Sequence, residues 1–130
     1  MRSIKKLAIA LIILFGVGMI FVEIMFIGER LKSHFSSYSE AKESGIMDRG
    51  WIPTFIPKSA ININEQYDLD TNWVKMDFQY TPVDVNETRV SCQSEKEIQE
   101  GLEFIYTYLS NQVTIKLYNN GKAELHSVPN

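Results

Sequence analysis

Cysteine is almost absent from this 130-residue chain, and a lone Cys92 excludes any intramolecular disulfide, leaving the fold to rest on its apolar core. That cysteine also stands far from the N-terminal apolar block, where a bacterial lipoprotein needs one. Histidine is nearly as scarce. His34 and His126 lie far apart, and neither has a second His, Cys or carboxylate at helical ligand spacing, whereas a zinc site needs three or four converging ligands. No metal and no cofactor is expected. Neither Cys92 nor the histidines sit in a pattern that sets a nucleophile beside a base, so no catalytic residue and no enzyme activity are expected either. Basic charge is in deficit, with 13 Lys+Arg against 16 Asp+Glu. That balance argues against nucleic acid as a partner, because affinity for phosphates is carried by clustered Lys and Arg.

What the chain does have is one long apolar run. Residues 7–28, LAIALIILFGVGMIFVEIMFIG, contain a single charge, Glu23. As a helix this run is roughly 33 Å long at 1.5 Å per residue, against a hydrocarbon core of about 30 Å. The rival is a cleaved signal peptide, with Arg2, Lys5 and Lys6 as its basic start and Gly16 and Gly18 as a small-x-small pair. Cleavage there leaves MIFVEIMFI as an exposed apolar terminus, so an uncleaved anchor in the lipid bilayer is the expectation. Glu23 lies near the end of the run, where its carboxylate reaches toward the headgroups or takes a proton. Arg2, Lys5 and Lys6 form a denser basic cluster than Arg30, Lys32 and Lys42, which places the N-terminus in the cytoplasm. The remainder, with 10 Lys+Arg and 15 Asp+Glu from residue 29 onward, then lies outside the cytoplasm and is a poor ligand for anionic lipid.

Beyond the run, residues 29–44 are expected to continue as helix or to restart at Ser37, which precedes Glu40 in capping-box spacing, with Gly45 closing the helix. GWIPTFIPKSA follows, where Pro53 and Pro57 forbid a long helix and make an extended connector. Period-two alternation marks strands at 61–64 and 73–80; in the second, Val74, Met76, Phe78 and Tyr80 share one face. Residues 81–93 are expected as irregular loop, and SEKEIQE from Ser94 as one or two helical turns. Three further strands, 102–109, 113–118 and 122–128, complete an antiparallel meander, the last two joined by a turn at Asn119, Asn120 and Gly121; the continuous apolar run at 102–109 leaves helix as its alternative, with its aromatic content favouring strand. The expected fold is α+β: cytoplasmic residues 1–6, a transmembrane helix at 7–28, a juxtamembrane helical linker at 29–48, and an extracytoplasmic domain at 49–130 with one or two short helices.

Two polar patches stand out. Asp68, Asp70 and Asn72 in DLDTN start like a calcium loop, but the sixth and twelfth positions, which need Gly and Glu, hold Trp73 and Gln79. A turn built on Asp and Asn side chains is the simpler reading. Arg49, beside Gly50 and Trp51, suits either a cation over an indole or an ion pair with Asp68 and Asp70. Asn86, Glu87 and Thr88 form a glycosylation triplet that matters only in a eukaryotic secretory pathway, and the short basic start looks bacterial.

The run RGWIPTFIPKSAINI with EQYDLDTN resembles a pattern in small envelope proteins of Gram-negative bacteria. There a membrane segment or signal precedes a core of Gly-Trp-x-Pro, Pro-x-Ser-Ala and Asp-Leu-Asp-Thr-Asn. The resemblance covers residues 49–72, implies an envelope location and no catalytic residue, and marks Trp51, Pro53, Pro57, Ser59, Asp68, Asp70 and Asn72, with Arg49 before them, as the interaction or structural motif. The expected function is a single-pass inner-membrane protein whose periplasmic domain binds an envelope protein partner. The alternative is a tethered immunity protein against a periplasm-delivered toxin, for which an acidic surface suits a basic toxin.

Overall fold

The structure is a computed structural model that describes the backbone of residues 2–27 and 30–130. It divides into two compact units, residues 1–30 and Leu31–Asn130. The first is a single helix, α1 (Arg2–Ile27). From Leu7 to Val22 its side chains are apolar or glycine and exposed; Leu14 and Phe15 show 71% and 75% of their surface. Within α1 the stretch Ile4–Val22 is long and apolar enough to cross a bilayer, a property it shares with signal sequences. The side chain of Glu23, and Gly28 and Glu29 entirely, lie outside the described residues.

The second unit is a seven-stranded sheet backed on one face by an irregular layer and two short helices, an α+β fold as expected. Its elements run β1 (Arg30–Ser37), α2 (Tyr38–Glu43), β2 (Ile61–Asp68), β3 (Val74–Gln79), α3 (Asn86–Ser91), β4 (Ser94–Ile98), β5 (Gly101–Tyr108), β6 (Asn111–Tyr118) and β7 (Lys122–Pro129). The strand order is β1-β2-β3-β7-β6-β5-β4. From β2 to β4 every neighbouring pair is antiparallel.

The sheet forms because its strands alternate, and their registers bring the apolar members into rows on one face. One row joins Glu65, Met76, Leu125, Ile115 and Phe104; the next joins Tyr67, Val74, Ser127, Val113 and Tyr106. The opposite face carries Asp77, Glu124, Lys116 and Glu103 in register and faces solvent. Ala41 of α2, Thr88 of α3, and Ile46, Met47, Ile52, Ile56 and Ala60 between α2 and β2 cover the apolar face and are buried. Each large side chain so buried contributes roughly 1.5–3 kcal/mol. Phe55 stacks on Tyr106 at 4.2 Å, and the Thr88 hydroxyl donates to the Phe55 carbonyl at 2.8 Å, fixing the proline-rich connector to the sheet.

Three expectations are corrected. The helical linker at 29–48 is a strand from Arg30 to Ser37, and the compact unit begins at Leu31 rather than at 49. In RLKSHFSS, Ser33, Phe35 and Ser37 turn inward while Lys32, His34 and Ser36 are exposed, a period of two that polar inward residues disguise. Helix restarts at Ser37, the second of the two starts expected for this stretch, and the Ser37 hydroxyl accepts from the Glu40 N–H at 3.2 Å. SEKEIQE is not helix: its first five residues form the edge strand β4, short and charged as edge strands are. The expected loop at 81–93 contains α3, which Arg89 ties to β4 through two hydrogen bonds to Glu95 at 2.8 and 3.0 Å.

Candidate functional site

Three segments converge at one end of the apolar face. The first is the turn after α2. Gly50 N–H donates to the Met47 carbonyl and Trp51 N–H to the Ile46 carbonyl, at 3.0 and 3.3 Å, the paired bonds of a Schellman motif with Gly50 in the left-handed position at φ +81°. This closure sets Arg49 and Trp51 on either side of Gly50. Trp51 then stacks on Tyr67 of β2 at 4.2 Å.

The second segment is the β2–β3 turn. One oxygen of Asp68 accepts from the N–H groups of Asp70 and Thr71 and from the Thr71 hydroxyl, at 3.1, 3.0 and 2.9 Å. That wrapping shapes the turn and leaves Asn72 left-handed at φ +54°. The third is the β5–β6 hairpin, whose two-residue loop, Leu109 and Ser110, has φ of +50° and +67°. Two positive φ angles are what a tight hairpin requires, but Asn-Gly is the pair that tolerates them; a leucine there is strained. Leu109 is nevertheless 67% exposed, and a Cβ on Gly50 would collide with its Cδ1. Asn111 bridges the second and third segments by donating to the Asn72 carbonyl at 3.4 Å.

Between them lies a cavity of about 290 Å³. Arg49, Gly50, Trp51, Pro53, Asn72, Tyr108, Leu109 and Asn111 form its walls and rim, and Val74, Val113, Leu125 and Ser127 its floor. Ser127 is a buried polar residue set between Val74 and Val113 in register. Arg49 is the one formally charged residue among the described lining.

Of the residues singled out from the sequence, Arg49, Trp51, Pro53 and Asn72 thus come together. Asp68 shapes the turn that carries Asn72, and Asp70 on that turn is exposed outside the lining. Pro57 and Ser59 lie elsewhere. Pro57 is buried and its carbonyl accepts from Ala60; Ser59 receives the Thr81 N–H on its hydroxyl and donates its own N–H to Asp84, pinning residues 81–84.

Sequence reasoning missed Tyr108, Leu109, Asn111 and Ser127. Leu109 carried no signal of its own, because the apolar run placed it at the end of the strand 102–109 and only the register moves it into the turn. For Ser127 the signal was a polar residue at an inward position of an alternating strand. Glu65 was missed too. It points inward from β2, is 2% exposed, and neither carboxylate oxygen makes a hydrogen bond of ordinary geometry. Burial pushes its pKa up from 4.5 to about 7, against the opposing pull of the nearby Ser33 hydroxyl and the Arg49 charge.

Residues 29–79 match the family model described as the YbbD head domain. The matched stretch runs from β1 to the end of β3 and carries Arg49, Trp51, Pro53 and Asn72, while the hairpin residues 108–111 and Ser127 stand outside it. No curated protein and no solved structure matches the chain.

Proposed function

We propose that this chain is a single-pass inner-membrane protein of a Gram-negative envelope whose periplasmic head domain binds another envelope protein through the cavity between Trp51, Asn72 and Leu109. The observation that carries this reading is the exposed, left-handed Leu109 at the cavity rim. A leucine in that conformation costs about 1–3 kcal/mol, and such strain is kept where it serves a site. The head domain acts as a binder rather than a catalyst, because the described lining sets no histidine, cysteine or carboxylate beside Ser127 to activate it. The apolar all-round surface of α1 supports retention as an anchor, since cleavage after Gly18 would leave an apolar stub on the mature chain. Intact mass of the membrane-extracted protein tests that part; loss of the first 18 residues would refute it.

Chemical crosslinking in native membranes followed by affinity purification tests the binding. Wild type should return one reproducible partner, and Leu109→Asp, which alters only an exposed turn residue, should lose it. Recovery of bulk membrane proteins alone, or of the same partner from Leu109→Asp, would overturn the reading.

A further inference from the structure

Building on that reading, the geometry points to the kind of group the cavity accepts: the C-terminal residue of a partner chain, apolar in its side chain and bearing a free carboxylate. Size comes first. At about 290 Å³ the space lies at the lower limit for ligand sites, room for one large side chain rather than for an extended molecule. Its buried floor of Val74, Val113 and Leu125 and its half-buried Trp51 wall are apolar, and an inserted aliphatic or aromatic group would displace water from the accessible Trp51 ring and Leu109 rim.

Charge comes second. The unit from Leu31 onward is acidic, yet the one formally charged residue on the described lining is Arg49. A guanidinium matches a carboxylate in shape and charge, offering two parallel N–H donors to its two oxygens. The acidic groups around Arg49 stand outside the lining: Asp48 and Asp70 are exposed, Asp68 is committed to shaping the β2–β3 turn, and Glu65, on which the Arg49 charge acts, is a buried carboxyl that burial drives toward its neutral form. The amides of Asn72 and Asn111 and the Ser127 hydroxyl add neutral polar groups suited to a peptide backbone, the usual complement of a site that captures a chain end. A fatty acid offers the same carboxylate, but its chain needs a longer apolar channel than this floor provides.

Methyl NMR of the full-length protein in nanodiscs tests the assignment, with acetyl-glycyl-leucine, its C-terminal amide and octanoate as probes. The free acid should shift the Val74, Val113 and Leu125 methyl signals, and the amide should require at least tenfold more ligand for the same shift. In Arg49→Gln, acid and amide should bind alike and as weakly as the amide does to wild type. Equal affinity of acid and amide for wild type, an unchanged preference in Arg49→Gln, or no shift with either peptide would overturn the inference, and binding of octanoate in preference to the peptide acid would replace it with a lipid site. A partner captured through Leu109 with no response to the peptide acid would sink this inference alone. A response to the acid without any captured partner would sink the proposed function alone.

Discussion

Glu65 is the residue whose placement departs furthest from ordinary practice, because a buried carboxyl with no hydrogen bond of ordinary geometry among the described residues is retained only at a cost. Its folded pKa of about 7 lies above the ordinary 4.5, so folding takes up a proton between those values. The stability tied to the protonated form is fully present below pH 4.5 and is lost as pH rises through 7, a change of about 3 kcal/mol by linkage. Glu40 and Glu95 are held below the ordinary range, by Ser36 hydrogen bonds and by Arg89 respectively, and titrate on the acid side of that window. The melting temperature should therefore fall between pH 5.5 and pH 8 in wild type, whereas Glu65→Gln should flatten that slope and melt higher at pH 8. A variant that keeps the wild-type slope would assign it to other groups. The motif residues divide in the same terms. Trp51→Ala removes a half-buried ring stacked on Tyr67 and should cost about 2–3 kcal/mol. Asp68→Ala strips the turn of three hydrogen bonds and should cost about 1–3 kcal/mol, while exposed Asp70→Asn should stay within about 0.5 kcal/mol. Urea denaturation of the three variants orders them; a large loss for Asp70→Asn with none for Asp68→Ala would contradict the turn.

At the scale of elements, the β5–β6 hairpin is where the proposed binding would set local stability against function. Replacing Leu109 and Ser110 by Asn and Gly supplies the pair that the turn's positive φ angles favour, and should stabilise the domain by about 1–2 kcal/mol while weakening partner capture. Gain of stability with capture intact would deny the turn its role. Which elements the sequence discloses follows the same physics. The strand at 74–79 was legible because Val74, Met76 and Phe78 alternate cleanly with Lys75, Asp77 and Gln79. β1 was not, since its inward positions include Ser33 and Ser37, and β4 was not, since an edge strand exposed on both sides has no apolar face to reveal its period. α3 is held by tertiary bonds that no local pattern announces: the Thr88 hydroxyl to the Phe55 carbonyl, and the Tyr106 hydroxyl to the Thr88 carbonyl. The motif at 49–72 was visible, but its meeting with residues 108–111 depends on a sheet order that brings chain-distant strands to one end.

At the scale of the whole molecule, the chain joins an apolar helix to an acidic domain of about a hundred residues, one domain by size, for which binding is the proposed role. The proposed binding stands or falls with the cavity being the face through which this domain meets a partner. Site-specific photocrosslinking tests this most directly: a photoreactive side chain at Leu109, on the cavity rim, against one at His126, exposed on the opposite face of the sheet. In native membranes the position-109 protein should yield one discrete adduct that Trp51→Ala weakens, and the position-126 protein should yield none. Equal adducts from both positions, or an adduct from position 126 alone, would place the interaction on the wrong face and contradict the account.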